Sequence, residues 1–451
     1  MAVSLSQFYQ ELYAEHLEEA AYLYECLTPW RLDPEGSWQD CLDLEERFEA
    51  HLDALVIGGK TARTFLMDTL EDADPGTLFT ITCVLCRHKD AAAIGQIWET
   101  LIGDPEEKSA GSSEDKQDEE EQEEEPDEEL IAKLQAISLA LRQEYPTKWR
   151  PRLAKLLNTQ HRNLLPIIAE TACENDSIDL QSAANLLANT PSWHRPKAIR
   201  LLGDSGQPEM IDLISPLLRH ENIDLRKEAA IALLKLGSPE VLPLLQNDIE
   251  SYALPLALAG DHASITKLIE NLKPEEATEE QLYALGLSGE LSAVKPLVLA
   301  MYNEELAPAA ATACQLILGA NLYGDVFIKE EFAEEDLFPE ELESFQKGES
   351  PKHPAGQDYG ENMEIINPDP EVWRNWLREN RGGFDIQQCY VLGHPQSKQA
   401  LVSALGFARL PPALRQGIAD RLAIHHKISL KSFSITDPVR RQLRWLTSIS
   451  A

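Results

Sequence analysis

The stretch DLRKEAAIALLKLGSPEVLPLL, residues 224–245, decides the fold of this 451-residue chain. A charged turn opens it, an Ala-rich apolar helix follows, and a second apolar helix comes after Gly237 and Pro239. Glycine lets a chain leave a helix through a left-handed turn, and proline suits the first turn of the next helix. Small side chains at Ala229 and Ala232 allow a neighbouring helix to approach closely. The stretch therefore predicts a helical hairpin.

The hairpin recurs along the chain. Residues 196–218 match the opening stretch at an offset of 31 residues, which places Leu202 on Leu233 and Gly206 on Gly237. Further glycines continue the series at Gly260, Gly289 and Gly319. A single hairpin leaves an apolar face uncovered, so units of this kind stack on one another. The sequence predicts an all-α protein, an α-solenoid of helical hairpins.

Composition shifts along the chain predict five segments. They are an N-terminal helical domain at 1–103, a disordered acidic linker at 104–129, repeats at 130–321, an acidic insertion or loop at 322–370, and C-terminal helical hairpins at 371–451. The linker carries fifteen carboxylates and two lysines and has no bulky apolar side chain. Such a segment cannot bury enough apolar surface to offset its loss of conformational entropy.

The net charge of −36 is concentrated in two segments. Residues 104–129 and 325–369 hold much of the excess, and the remainder is ordinary for a protein of this size. A body without clustered Lys and Arg lacks the positive field that phosphate-backbone binding uses. We therefore expect no nucleic-acid partner.

The chain is expected to lie in the cytoplasm. Its first residues, MAVSLSQFYQ, lack the basic and apolar regions of a signal peptide, and no apolar run reaches the length of a membrane span. Seven scattered cysteines do not suggest a disulfide framework. No membrane association is predicted.

Two resemblances follow from these residues. The stretch LLRHENIDLRKEAAIALLKLGSPEVLPLL, residues 217–245, resembles a HEAT repeat. Segments EHLEEAAYLY (15–24), LDLEERFEAHLDAL (42–55), YVLGHPQSKQALVSALGFARLPPALRQGIADRLAI (390–424) and DPVRRQLRWL (437–446) are similar to a largely uncharacterised proteobacterial family of HEAT-repeat proteins. Some members of that family lie near type VI secretion genes. The resemblance implies a HEAT-like α-solenoid in a bacterial cytoplasm and supplies no catalytic residues.

Three motifs invite a chemical interpretation, and each has a simpler one. Cys83 and Cys86 precede His88, yet a zinc site needs further ligands, and their apolar surroundings favour a buried helix. His220-Glu221 is a single His-Glu pair, too few for a di-iron site. His425-His426 suits a helix C-terminus. We predict no catalytic, cofactor-binding or metal-binding residues.

The C-terminal region carries an unusual excess of positive charge. From Arg409 onward the chain has eight basic residues and only two acidic ones. This favours a patch that receives an acidic segment, either the chain's own linker or a partner's. Its six candidate partner-binding residues are Arg409, Arg415, Arg421, Arg440, Arg441 and Arg444.

Solenoids usually hold another macromolecule, so the leading hypothesis is a non-catalytic cytoplasmic scaffold or adaptor that binds a protein. The resemblance adds a type VI secretion component as the partner. Two alternatives stay open: a bilin-handling or other enzyme on a HEAT scaffold, detectable by pigment absorbance, and an acidic mimic of nucleic acid. Deleting 104–129 would abolish binding by a mimic and leave an adaptor working.

Overall fold

The computed structural model describes residues 5–34, 36–102, 127–159, 161–330, 332, 337, 342, 345, 350–353 and 356–450. Most of the predicted acidic linker, residues 104–126, lies outside these residues. The end of that segment, Glu128 and Glu129, begins a helix.

Helices dominate the described part of the chain, so the predicted all-α class is confirmed. From the N-terminus they are α1 (Leu5–Arg31), α2 (Leu42–Ile57), α3 (Gly59–Asp68), α4 (Pro75–His88), α5 (Ala91–Ile102), α6 (Glu128–Glu144), α7 (Arg150–Leu156), α8 (Leu164–Glu174), α9 (Leu180–Asn189), α10 (Arg195–Asp204) and α11 (Ile211–Ile214). They continue with α12 (Ile223–Leu236), α13 (Val241–Leu245), α14 (Ala253–Ala259), α15 (His262–Asn271), α16 (Glu279–Ser288), α17 (Val294–Ala300) and α18 (Ala307–Leu318). The last four are α19 (Pro370–Asn380), α20 (Lys398–Leu405), α21 (Pro412–His426) and α22 (Val439–Ser450).

Short 3₁₀ helices join several of these elements. They are Trp38–Cys41, Thr147–Trp149, Ser192–His194, Pro208–Met210, Ser215–Arg219, Leu291–Ala293 and Arg381–Gly383.

Two short antiparallel pairs of strands interrupt the helices. Strand β1 (Tyr323–Lys329) pairs with β2 (Gly360–Ile366), with Tyr323 opposite Ile366 and Lys329 opposite Gly360. Strand β3 (Tyr390–Val391) pairs with β4 (His394–Pro395). These strands were not predicted, because β1 and β2 flank a Pro-, Gly- and carboxylate-rich segment that favours a loop, and β3 and β4 have two residues each.

The chain folds as two compact units. One contains the described residues up to Asp261 together with those from Leu401 onward, and the other contains residues 262–400. In the first unit α1 packs on α4, and the stack continues through α6, α8, α10, α12 and α14. Helix α21 packs on α12 and α14, and α22 packs on α2. The N-terminal helices, the repeats and the C-terminal helices therefore share one core.

The stretch at 224–245 forms the predicted hairpin. Helix α12 begins where Asn222 Oδ1 accepts hydrogen bonds from the backbone N–H of Asp224, at 2.7 Å, and of Leu225, at 3.3 Å. It ends at Gly237, whose φ of +80° confirms the predicted left-handed turn. Pro239 lies in the turn before α13, two residues ahead of its first residue.

Small residues bring the stacked helices together, as the Ala-rich pattern predicts. A Cβ atom on Gly203 of α10 would stand 2.7 Å from the Cα of Ala232 in α12. A Cβ on Gly76 of α4 would stand 2.6 Å from the backbone oxygen of Ala21 in α1. These separations leave no room for a methyl group on either glycine.

Buried ion pairs join the C-terminal segment to the repeats of the first unit. Arg142 of α6 donates to Asp437 at 3.0 and 3.1 Å. Lys235 of α12 contacts Asp204 and Asp420 at 2.7 Å each, and Arg200 contacts Asp420 at 3.3 Å. Burial would raise the pKa of Asp420, but Lys235 and Arg200 outweigh burial and hold that pKa below its ordinary value.

The second unit continues the helical pairs and adds the strands. Helix α16 packs on α18, and α17 packs on both α18 and α19. The backbone N–H of Tyr390 in β3 donates to Gly289 O at 2.8 Å, and that of Leu392 donates to Leu316 O at 2.6 Å. The ends of α16 and α18 therefore anchor the β3–β4 turn.

Candidate functional site

Two of the six candidate arginines lie inside the first unit rather than on its surface. Arg415 has no exposed surface, and its guanidinium lies 4.0 Å from the centroid of the Trp38 ring. Its burial lowers its pKa to about 9. Arg421 is buried and donates to Ala257 O at 2.9 Å. These two side chains support the packing of α21 on its neighbours.

Three of the other four arginines come together on α22. Arg440 pairs with Glu46 of α2, and Arg441 pairs with Glu174 of α8 and donates to Arg142 O at 3.1 Å. Arg444 Nε donates to Arg440 O at 3.2 Å within the helix. Arg409 lies apart from them, exposed in the turn before α21. The six arginines therefore do not form one surface patch.

Arg440, Arg441 and Arg444 line a cleft of about 420 Å³ in the first unit. Helix α22 forms one wall and α2 forms another, and α1, α4 and the end of α6 complete the cleft. The volume falls within the range of sites that hold a small ligand or a few side chains of a partner. Four arginines and five carboxylates line it, and this cleft is the candidate functional site.

The floor of the cleft is aromatic and apolar. Phe79 of α4 stacks on Tyr24 of α1 with ring centroids 4.4 Å apart, and Phe48 of α2 lies 5.5 Å from Phe79. Leu27 completes this group, and all four side chains are largely buried. Burial raises the pKa of Tyr24 to about 12, so its hydroxyl stays neutral. The floor therefore presents an uncharged surface.

The carboxylates of the cleft are bound by arginines. Glu45 accepts from Arg31 Nη2 at 2.8 Å and from the Val439 N–H at 2.9 and 3.0 Å. Arg87, which lies behind the wall, binds a group of three carboxylates. They are Glu49 at 2.8 Å, Asp53 at 3.2 Å and Glu144 at 2.7 Å. One guanidinium thus serves three carboxylates, two of them on α2, so this wall of the cleft keeps an excess of negative charge.

Two donors at the cleft are less fully used. Gln143 Nε2 is buried without a hydrogen-bond partner among the described residues. Arg444 forms no ion pair with a carboxylate in that same part of the chain, and its side chain is exposed. Both residues line the cleft.

Arg440, Arg441 and Arg444 were predicted from the charge pattern of the sequence, but the other residues of the cleft were not. Tyr24 and the carboxylates of α2 lie in no motif that marks them as part of a site. Segments 42–55 and 437–446 carry the carboxylates and the arginines that form the two walls. Their separation of about four hundred residues hid the contact between them.

The motifs with possible chemistry have structural roles. Cys83 and Cys86 are buried in α4, and burial raises the pKa of Cys86 to about 12 and that of Cys83 well above its ordinary value. Both thiols therefore stay protonated at neutral pH and are poor nucleophiles. His220 Nδ1 accepts the Asn222 N–H at 3.1 Å, and a ring nitrogen of His425 lies 2.8 Å from Leu258 O.

Two kinds of feature are absent from the described residues. They contain no group of three His, Cys, Asp or Glu side chains placed to hold a metal ion. None of their helices combines the length and the apolar character that crossing a membrane requires.

Comparison with known proteins identifies one part of the stack. A family model of HEAT repeats matches residues 180–250, which run from the start of α9 past the end of α13. No curated protein matches the chain. The matched region contains the stretch at 224–245 and the close contact between α10 and α12. This part of the stack is similar to HEAT repeats.

Proposed function

We propose that the protein is a non-catalytic scaffold or adaptor that binds a protein partner. The observation that carries this proposal is the HEAT-repeat match at 180–250 within a continuous stack of helices. Stacked repeats expose long surfaces made from successive helices, and such surfaces are suited to holding another macromolecule. The buried, protonated thiols of α4 add no nucleophile to this surface.

Arg409 and the three arginines on α22 are the proposed partner-binding residues. Arg409, Arg440, Arg441 and Arg444 retain access to solvent, whereas Arg415 and Arg421 act from the interior. Arg415 and Arg421 would therefore influence binding through the position of α21 rather than by contact.

The finer parts of the proposal rest on sequence. The acidic composition supports a protein partner over a nucleic acid, and we propose that no membrane is involved. The resemblance to the proteobacterial family supports a bacterial cytoplasm as the location. It also supports a component of a type VI secretion system as the partner.

Affinity purification from the native cell with mass spectrometry tests the proposal. Two baits are compared: the full chain, and a variant in which a Gly/Ser segment of equal length replaces residues 104–126. This replacement leaves α6 intact, since that helix begins at Glu128. One stoichiometric protein on both baits supports a scaffold whose site is on the folded body.

The other results have distinct meanings. Loss of the partner from the replacement variant would move the site into the acidic segment. A full chain that retains no stoichiometric protein would contradict the scaffold function. A coloured full chain carrying a small molecule would favour the enzymatic alternative.

A further inference from the structure

We infer that a basic surface at α7, formed by Lys148, Arg152 and Lys155, binds an acidic segment of a protein partner. This inference rests on the proposed scaffold function and specifies the chemistry of its partner, at residues other than the arginines already proposed. Three observations carry it: the local charge of the chain, the exposure of the three side chains, and the state of the carboxylates around them.

A basic window interrupts a chain whose net charge is −36. Residues 145–169 contain five Lys and Arg residues and no Asp or Glu. The window covers the 3₁₀ helix Thr147–Trp149, all of α7 and the start of α8. Cations clustered on one short element create a local positive potential that attracts anionic groups.

Lys148, Arg152 and Lys155 lie on one side of these elements. Arg152 is four residues after Lys148 and three before Lys155, a spacing that places side chains on the same side of a helix. All three side chains are exposed. The other side packs in the core, where the buried residues are Trp149, Leu153 and Leu157. The three cations therefore form one surface on a fixed element, and we name it the α7 surface.

The described part of the chain leaves the charge of the α7 surface uncompensated. None of its three side chains forms an ion pair with an Asp or Glu among the residues that the structure describes. The two carboxylates that flank the basic window are already bound, Glu144 to Arg87 at 2.7 Å and Glu170 to Lys197 at 3.3 Å. The candidate cleft differs, because its four arginines meet five carboxylates.

Carboxylates are the protein groups that this surface binds best. Arg152 can donate two parallel hydrogen bonds to one carboxylate, and the two lysines add point charges on either side. The three cations span about 10 Å along the helix, a length that about four extended residues cover. Each contact is exposed, so it is weak alone and is screened by salt. The surface therefore fits an acidic segment of a protein that also contacts the stack elsewhere, because the second contact raises the local concentration of the segment.

The charge of the chain favours a protein segment over a nucleic acid. A duplex continues far beyond the α7 surface, with one charge per about 1.7 Å. A protein with a net charge of −36 would repel the additional phosphates. A short acidic segment ends its charge within the surface and avoids most of that repulsion.

The chain's own acidic segment is poorly positioned to occupy this surface. It joins α6 at Glu128, whereas α7 follows the opposite end of that helix. The seventeen residues of α6 make it about 25 Å long. The acidic run at 121–125 lies within seven residues of Glu128, and at about 3.3 Å per residue this falls short of that length. A segment of a partner has no such restraint and is the better match.

Fluorescence anisotropy with labelled peptides on the full chain tests the inference. The probe is a peptide in which glutamates alternate with glycine and serine, and its neutral analogue has glutamine in place of each glutamate. We expect the acidic peptide to bind at low salt and to dissociate as the salt concentration rises, and the neutral analogue to bind at least about tenfold more weakly. The double variant Lys148→Glu with Arg152→Glu should weaken binding of the acidic peptide at least about tenfold, because it reverses two of the three charges.

The matched control is Lys60→Glu with Arg378→Glu. It makes the same charge change at exposed residues of α3 and α19, outside the α7 surface and outside the set of proposed partner-binding arginines. We expect it to bind the acidic peptide within about twofold of the wild type, because only the distant field changes. Circular dichroism melts verify that both double variants are folded. The inference is overturned if the acidic peptide does not bind the wild type, if the neutral analogue binds equally, or if the two double variants bind equally.

Two further measurements identify the other occupants. A variant with a Gly/Ser segment in place of residues 104–126 tests the chain's own acidic segment, because binding of the acidic peptide to this variant alone would assign the α7 surface to that segment. A labelled DNA duplex tests a nucleic acid. A duplex that binds the full chain more tightly than the peptide does, and that is lost from Lys148→Glu with Arg152→Glu, would assign the surface to nucleic acid. Either result overturns the inference.

Capture from native lysate with the wild type and the two double variants separates this inference from the proposed function. Support requires a partner that is held by the wild type and the control, is lost from Lys148→Glu with Arg152→Glu, and contains an acidic segment that binds as a synthetic peptide. A partner held equally by all three baits leaves the scaffold function standing and overturns the α7 surface as its site. Absence of any partner on the wild type contradicts the scaffold function, and the peptide measurements still judge the α7 surface.

Discussion

At the scale of single residues, burial decides what a charge does. Arg444 and Arg415 are both arginines of the C-terminal segment, yet one is exposed at a cleft and the other has no exposed surface. A count of charges along the sequence treats the two alike. It predicts an excess of positive charge correctly, but it cannot tell which arginines reach solvent, because burial depends on elements far away in the chain.

His194 should make the first unit sensitive to acid. Its burial lowers its pKa to about 4, with a smaller opposing effect from Glu170 and a small lowering effect from Lys197. The unfolded chain binds a proton near pH 6.5 and the folded chain does not, so stability present above pH 6.5 is lost as the pH falls toward 4. We expect the wild type to lose about 2 kcal/mol more than His194→Gln between pH 7 and pH 5.

Urea denaturation of both proteins at the two pH values measures this difference. Comparing the proteins at each pH cancels the contributions of all other titrating groups. An equal loss in both would show that His194 is not buried in its neutral form.

Asp420 should contribute far more to the free energy of unfolding than an exposed acidic residue in a similar ion pair. Asp420→Ala leaves Lys235 and Arg200 partly uncompensated in the interior, and removing one partner of a buried pair costs roughly 3–5 kcal/mol. Asp176 pairs with Lys431 at 2.6 Å, also between the repeats and the C-terminal segment, but at the surface. Asp176→Asn removes the charge but keeps a residue that tolerates the left-handed φ of +53° at this position, and it should cost less than about 1 kcal/mol. Chemical denaturation of the two variants checks the contrast, which similar losses would contradict.

At the scale of elements, the sequence predicts the helices well and the strands poorly. Gly237 ends α12 in the predicted left-handed conformation, because that signal is local to a few residues. The partner of strand β1 is β2, which begins more than thirty residues later, after an acidic segment. Helical hydrogen bonds close within four residues, whereas strand pairing does not, so local patterns carry less information about strands.

The close packing of α10 on α12 gives a test at this scale. Gly203→Ala would place a methyl group 2.7 Å from Ala232 Cα, so the helices must separate. We expect a loss of about 1–3 kcal/mol from overpacking, although alanine favours helix formation. Gly95→Ala in α5 is the matched control, because a Cβ there meets nothing within 4 Å. That substitution should stabilise the protein by about 0.5–1 kcal/mol.

Thermal unfolding of both glycine variants measures the two effects with opposite signs. If Gly203→Ala were also stabilising, the α10–α12 contact would have to be looser than the structure shows.

At the scale of the whole molecule, the sequence predicts the stacking of the hairpins but not the packing of the C-terminal segment into the first unit. The 31-residue offset indicates repeated hairpins, and a hairpin with one uncovered face requires a neighbour. Nothing in that pattern indicates that residues after Leu401 return to the first unit. The return depends on pairs such as Arg142 with Asp437, about three hundred residues apart, and single sequences do not reveal such pairs.

The C-terminal segment should therefore be required for the first unit to fold. A chain that ends at Gln396 lacks Asp420 and Asp437, so Lys235 and Arg142 lose these ion pairs, and it uncovers the apolar faces of α12 and α14 on which α21 packs. It also lacks Leu414 and Leu422, which are fully buried. These losses together reach the whole stability of a typical domain, so we expect no cooperative unfolding of the first unit in circular dichroism or calorimetry. Co-expression of residues 397–451 as a separate chain should restore the transition, because the missing contacts are non-covalent. A truncated chain with an unchanged melting temperature would show instead that the repeats fold without their C-terminal partner.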